Sequence, residues 1–178
     1  MTVHIGLAGQ GEIPACARLI AEALQDDLVV GQIVRGEQNR LQRLTDLYTA
    51  ALRTGAFPHG VIDVARSEPG GPILGVAAWE SPGGSREPWR HLFEVPRYLR
   101  AIGLRNMRAS LRALSTFSGH RPQGSHWYLA DIVVSPKARG LGVGSAPPRS
   151  RTRTRRPPLC AVSSPPSYGP SSETIQRQ

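Results

Sequence analysis

The sequence predicts a mixed α+β fold in which helices flank a sheet. Segments with the alternating pattern of β-strands recur along the chain, and segments with the 3.6-residue period of amphipathic helices separate them. With 178 residues and 39% hydrophobic content, the chain can bury one core but is short for two. We therefore expect a single domain.

The first third of the chain predicts one strand and two helices. Apolar residues alternate along a strand at 2–7. A helix begins at Pro14, carries an apolar stripe, and ends near Asp26. After a short apolar stretch at 28–34, a second amphipathic helix begins near Leu41 and is closed by Gly55.

The middle of the chain predicts an antiparallel hairpin and a basic helix. Segments 60–65 and 73–79 are rich in aliphatic residues, and turn-forming residues fill 68–72 between them. In the helical region that follows, arginines fall mostly off an apolar stripe. That stripe contains Val95, Leu99, Ile102, Met107, Leu111 and Leu114. A basic helix suits an acidic substrate site or a membrane surface, but we favour an ordinary solvated face over a core-facing stripe.

Bulk properties narrow the class of protein. No stretch approaches the roughly eighteen apolar residues needed to span a bilayer, and the first residues lack a signal-peptide layout, so we expect a cytoplasmic protein without membrane contact. Cys16 and Cys160 lie far apart, and no zinc-like spacing is present, so we expect reduced thiols and no metal. The net charge of +9 suggests an anionic partner, although more than half of it lies in residues 146–178.

The segment 132–145 carries the clearest chemical signal. Its first three residues end the clearest strand, predicted at 126–134, and glycines follow where a strand would pass into a helix. Glycines let backbone N–H groups approach a ligand, and a helix N-terminus adds partial positive charge, so this turn suits a pyrophosphate. The spacing differs from the Gly-x-Gly-x-x-Gly of dinucleotide-binding folds and from a P-loop. A purely structural glycine turn is the remaining alternative.

Three motifs resemble those of the GNAT superfamily of N-acetyltransferases. Arg139-Gly140-Leu141-Gly142-Val143-Gly144 resembles its hallmark, in which Arg or Gln is followed by two residues, Gly, one residue, and Gly or Ala. Val134-Ser135-Pro136 resembles the Val-x-Pro lead-in of the family. His126-Trp127-Tyr128-Leu129 resembles the start of the fourth strand in many bacterial members. The likeness covers residues 1–145.

The resemblance implies a mixed, mostly antiparallel central sheet and transfer of an acetyl group from acetyl-CoA to a primary amine. It implies that backbone groups of Ile132, Val133 and Val134 face the pantetheine arm. It further implies a pyrophosphate cradle made of Arg139, Gly140, Leu141, Gly142, Val143, Gly144 and Ser145. The resemblance does not identify the amine acceptor, nor does it decide whether the chain forms a homodimer.

The implied mechanism is direct attack of a neutral amine on the thioester, with one base removing the proton. Asp131, Glu80 and His126 are candidates for that base. For Asp131 we favour an edge-facing, solvated aspartate, and for Glu80 and His126 a surface or hydrogen-bonded structural role. No residue is assigned as the base.

Residues 146–178 depart from the family pattern. Pro147-Pro148 stand where the family has an apolar helix, and a proline inside a helix costs about 3 kcal/mol or more. We expect a disordered tail rich in Pro, Arg and Ser, and a sheet that lacks its closing strands and is open beside the fourth strand. A frameshift near codon 146 is one hypothesis for this tail. The alternatives are a natural tail that binds nucleic acid loosely through phosphates, and a catalytically inactive remnant.

Overall fold

A computed structural model describes residues 3–82, 88–112, 126–138 and 140. Within these residues the chain forms a four-stranded sheet and helices. The strands are β1 (His4–Leu7), β2 (Gly60–Arg66), β3 (Ile73–Glu80) and β4 (Tyr128–Val134). The helices are α1 (Ile13–Leu24), α2 (Leu28–Ile33), α3 (Arg40–Thr54), α4 (Ala56–His59) and α5 (Pro88–Ile102). The predicted α+β class with an antiparallel central sheet is confirmed.

The four strands lie in chain order, β1-β2-β3-β4, and each neighbouring pair is antiparallel. The predicted hairpin is confirmed, because β2 and β3 pair from Gly60 opposite Glu80 to Arg66 opposite Ile73. Gly70 lies in the turn between them with φ of 76°, a backbone conformation that favours glycine. β4 begins at Tyr128, so the strand predicted at 126–134 is two residues too long.

The described residues between β1 and β2 contain more helices than the two predicted. The apolar stretch at 28–34 is mostly the helix α2, because the Asp27 carboxylate caps it. Oδ1 of Asp27 accepts hydrogen bonds from the backbone N–H groups of Val29 at 2.8 Å and Val30 at 2.9 Å. The short helix α4 then follows Gly55, which ends α3 as predicted.

The main core lies between α1, α3 and one face of the sheet. α1 packs against β3 and β4, and α3 packs against α1 and α5. The fully buried side chains of α1 and α3 include Ile13, Ile20 and Leu44. The sheet contributes Ile62, Val64, Val76, Ala78 and Val133. The periodic apolar stripes predicted for α1 and α3 therefore mark the faces that pack.

The opposite face of the sheet is less covered. Ile5, Leu7 and Ile132 alternate with core-facing positions and are 41%, 63% and 58% exposed. The apolar alternation predicted for β1 is present, but these side chains lie outside the main core. A small second cluster, built around Ala65 and Ala138, packs with Val134.

The core-facing stripe predicted for the basic helix is wrong in part. Ile102 is buried, but Val95 and Leu111 are 39% and 56% exposed. The reason lies at Glu94, which is only 7% exposed and pairs with Arg53 at 3.6 Å and Arg97 at 2.5 Å. A helix that turns position 94 inward leaves position 95 near the solvent. Leu99 and Met107 are half-buried, and Leu114 lies outside the described residues.

Several expectations fall outside the described residues. The tail at 146–178, Pro147-Pro148 and Cys160 are among them, so the two-part division, the disorder and the frameshift stay predictions. Cys16 is a free, buried thiol on α1, and burial raises its pKa to about 11. Among the described helices, none has the length and apolar character that crossing a membrane requires.

The buried side chain of Leu44 tests this core. Leu44→Ala removes a fully buried side chain between α1 and α3, and we expect it to lower the free energy of unfolding by about 2–5 kcal/mol. Leu28→Ala is the matched control, because Leu28 is 86% exposed and should cost at most about 0.5 kcal/mol. Urea unfolding followed by circular dichroism measures both. Equal costs for the two variants would contradict the packing described.

Candidate active site

The strand β4 carries the predicted cofactor-facing residues, and its register on β3 decides where their backbone groups point. Val76 pairs with Val133, and the N–H of Ser135 donates to the Leu74 carbonyl at 2.8 Å. Because hydrogen-bonded and non-hydrogen-bonded pairs alternate in an antiparallel ladder, the backbone groups of Val133 bond β3. Those of Ile132 and Val134 point to the other edge of β4, where no described strand pairs.

A β-bulge interrupts this ladder. Ala78 pairs with Asp131, but Trp79 pairs with Leu129, so Ala130 is an extra residue on β4. A bulge reverses the alternation of side chains beyond it. Asp131 lies before the bulge, opposite Ala78 and two residues from the buried Val133, so alternation alone puts it on the face that packs against the main core. The bulge brings Tyr128, opposite Glu80, to that same face.

The alternation of side chains brings two carboxylates to one face of the sheet. Asp131 lies opposite Ala78, and Glu80 follows Ala78 by two residues on the same face of β3. Burial, and to a smaller extent the negative charge of Glu80, raises the pKa of Asp131 to about 6. The expectation of a solvated, edge-facing Asp131 is therefore wrong, because Asp131 shares with Val133 the face of β4 against which α1 packs.

Tyr48 on α3 belongs to the same electrostatic environment. Burial is the main cause that raises the pKa of its phenol, and the negative charges of Asp131 and Asp27 add to that effect. No sequence pattern indicates this neighbour, since Tyr48 is one more apolar position on a predicted amphipathic helix. Only the packing of α3 reveals that a carboxylate on β4 acts on it.

Glu80 lies against the end of α3. A Cβ atom built on Gly55 would meet Oε1 of Glu80 at 3.0 Å and the Ala51 carbonyl oxygen at 3.1 Å. The lack of a side chain at Gly55 therefore leaves room for this carboxylate. His126, the third candidate base, is half-buried two residues before β4 begins.

The chain leaves β4 through a short 3₁₀ turn at Pro136–Ala138. The Ala138 N–H donates to the Ser135 carbonyl at 2.9 Å, and Ala138 is buried against Ala65. Gly140 is exposed and has φ of 77°, with no atom within 4 Å of the place where a Cβ would stand. The backbone conformation there favours glycine, although space does not demand it.

Comparison with solved structures identifies the fold. The chain is similar to a crystal structure described as histone acetyltransferase HPA2 and related acetyltransferase from Corynebacterium glutamicum, with a TM-score of 0.61 and 28% sequence identity. The match covers 82% of this chain and 67% of that chain. The chain has the fold of the GNAT acetyltransferases. No protein-family model matches it.

The described residues of this fold include only part of the predicted site. Ile132, Val133 and Val134 are brought to β4 as predicted, and Gly140 follows the turn. The remaining residues of the predicted cradle lie outside the described residues and stay a prediction. They are Arg139, Leu141, Gly142, Val143, Gly144 and Ser145. Within the described part of this GNAT fold, no group of three or more His, Cys, Asp or Glu side chains is arranged to hold a metal ion.

The raised pKa of Asp131 predicts a pH-dependent stability. Between its unfolded value of 3.8 and its folded value of about 6, the folded chain binds a proton that the unfolded chain releases. Stability from this group is therefore full below about pH 4 and is lost as the pH rises through about 6. Asp131→Asn removes the buried charge, so it should raise the free energy of unfolding by about 1–3 kcal/mol at pH 8 and by much less at pH 4.

Urea unfolding at pH 4 and pH 8 measures this difference. Asp26→Asn is the matched control, since Asp26 is an exposed carboxylate near the end of α1. Its effect should be small and should not depend on pH in this way. A destabilised Asp131→Asn variant at pH 8 would contradict a buried, unfavourable charge at β4.

Proposed function

We propose that this chain is an N-acetyltransferase that transfers an acetyl group from acetyl-CoA to a primary amine. The observation that carries the proposal is the edge of β4 at which no described strand pairs, where the backbone groups of Ile132 and Val134 lie shortly before Gly140. The acetyltransferase fold of the chain supports it. We name the acceptor only as an amine, because the acceptor of the Corynebacterium glutamicum protein does not carry over to a chain that is 28% identical to it.

The residues that would hold acetyl-CoA fit its chemistry. The N–H and C=O groups of Ile132 and Val134 match the amide groups of a pantetheine arm, as a neighbouring strand would. The positive φ of Gly140 turns the chain directly after β4, as a backbone cradle for phosphate oxygens requires. Residues 139–145 would complete that cradle. When bound, acetyl-CoA supplies an acetyl group activated as a thioester.

Asp131 is the residue best suited to accept the proton of the attacking amine. A base works best when its pKa lies near the working pH, and the value of about 6 for Asp131 meets that condition. Above that pH its carboxylate is free to take a proton, directly or through water. Glu80 contributes by raising the proton affinity of Asp131. As the amine nitrogen bonds to the acetyl carbon, the carbon–sulfur bond breaks and the thiolate leaves.

Gly140→Ala tests the cofactor site. Alanine at φ of 77° strains the turn after β4, so we expect CoA affinity measured by calorimetry to fall by about tenfold. Gly103→Ala is the matched control, because Gly103 has the same φ of 77° and equally open space but follows α5. A similar loss of affinity in both variants would point to general destabilisation instead of a site at β4.

Asp131→Asn tests the base. General-base catalysis contributes about 10²–10⁴-fold, so we expect kcat to fall within that range while CoA affinity stays unchanged. In the unsubstituted chain, kcat/KM should rise with pH and level off above about 6. Release of free thiol from acetyl-CoA with a panel of amines measures both. Activity of Asp131→Asn equal to that of Asp26→Asn would exclude Asp131 as the base.

A folded chain that binds no CoA would contradict the proposal for this chain as written. CoA binding should then be compared with that of a version in which the reading frame beyond residue 145 is shifted. Binding by that version alone would indicate an impaired acetyltransferase, and binding by neither would indicate a wrong assignment. Deleting residues 146–178 tests the alternative that the tail binds nucleic acid loosely. No described residue supports that alternative.

A further inference from the structure

The helix α5 has an unusual distribution of polar and apolar side chains. The residues most buried on it follow helical spacing along one side, and they are Glu94, Tyr98, Ala101 and Ile102. Trp89, Leu92, Phe93 and Pro96 form a second helical row, which we call the outward stripe. Its large members are exposed, by 52% at Trp89, 70% at Leu92 and 74% at Phe93. The first half of α5 thus turns apolar side chains to the solvent.

Specific contacts hold the helix in this orientation. Glu94 is buried between Arg53 at 3.6 Å and Arg97 at 2.5 Å. The hydroxyl groups of Tyr98 and Thr54 lie 3.2 Å apart in a hydrogen bond. Rotating α5 to bury the outward stripe would expose these partners and break the contacts. The exposure is therefore fixed by the packing on α3, and solvent faces a contiguous apolar surface.

The charge around the outward stripe is positive. Arg90 stacks on the Trp89 ring at 4.6 Å, and Arg100 is exposed about two turns beyond Phe93. Between 88 and 112 the chain has six arginines, and Glu94 is the one acidic residue. Glu94 offsets the charge of Arg97, and Asp46 lies 3.6 Å from Arg100, so the positive charge beside the outward stripe is carried chiefly by the other arginines of this segment.

We infer that the outward stripe and the arginines beside it bind an anionic lipid surface. Helices that lie in a membrane interface carry Trp, Phe and Leu on one face, with arginines whose apolar stems reach toward the lipid headgroups. The net charge of +9 adds attraction to anionic headgroups. This contact would be peripheral, and it revises the expectation of no membrane contact. A second copy fits less well, since a two-fold contact would bring the arginines of both helices together.

Vesicle sedimentation with the full chain tests this inference. We expect binding to vesicles of phosphatidylglycerol and phosphatidylcholine, and little binding to phosphatidylcholine alone. The double variant Leu92→Ser, Phe93→Ser should weaken the partition by about tenfold, because it removes apolar area that enters the interface. The control Leu28→Ser, Val29→Ser removes comparable side chains that are 86% and 49% exposed on α2 and should leave binding unchanged.

A second readout locates the contact. Brominated lipid should quench the fluorescence of Trp89, and Trp89→Phe should keep vesicle binding while most of the quenching disappears. Unchanged binding of the α5 double variant would overturn the inference and attribute adsorption to the arginine-rich tail. Equal weakening by the α2 control would also overturn it. A dimer in sedimentation velocity that the α5 variant abolishes would assign the stripe to a second copy instead.

Discussion

The pairing of β4 with β3 is the constraint on which the candidate active site depends. It fixes Val133 in the core and turns the backbone groups of Ile132 and Val134 to the edge of β4 at which no described strand pairs. The same register places Asp131 opposite Ala78, on the face toward the helices. A one-residue change in this register would exchange the two faces of β4 and move the carboxylate away from Glu80. The ladder therefore positions both the proposed cofactor edge and the proposed proton acceptor.

The helices supply the low-polarity surroundings that raise the pKa of this carboxylate. α1 packs directly on β3 and β4, and α3 packs on α1. This packing removes water from Asp131, which raises its pKa, and it also buries Tyr48. Keeping the Asp131 carboxylate away from water thus lowers the free energy of unfolding that the core provides. Such a cost is characteristic of groups that exchange protons in catalysis.

Much of the framework was predictable from the sequence, because local patterns determine it. The hairpin follows from two aliphatic segments around a turn, and α1 and α3 follow from their periodic stripes. The environment of Asp131 was not predictable, since it arises from the pairing of β4 with β3 and from helices that lie far earlier in the chain. The orientation of α5 was missed for a related reason. Burial of Glu94 depends on Arg53, which lies on another helix.

The most direct test of the account is amide hydrogen exchange along β4, measured by NMR with and without CoA. In the free chain, the Val133 amide should exchange slowly because it bonds β3, and the amides of Ile132 and Val134 should exchange faster. CoA should slow exchange at Ile132 and Val134 and leave Val133 nearly unchanged. Binding of CoA without protection of these two amides would contradict a cofactor site at the open edge of β4.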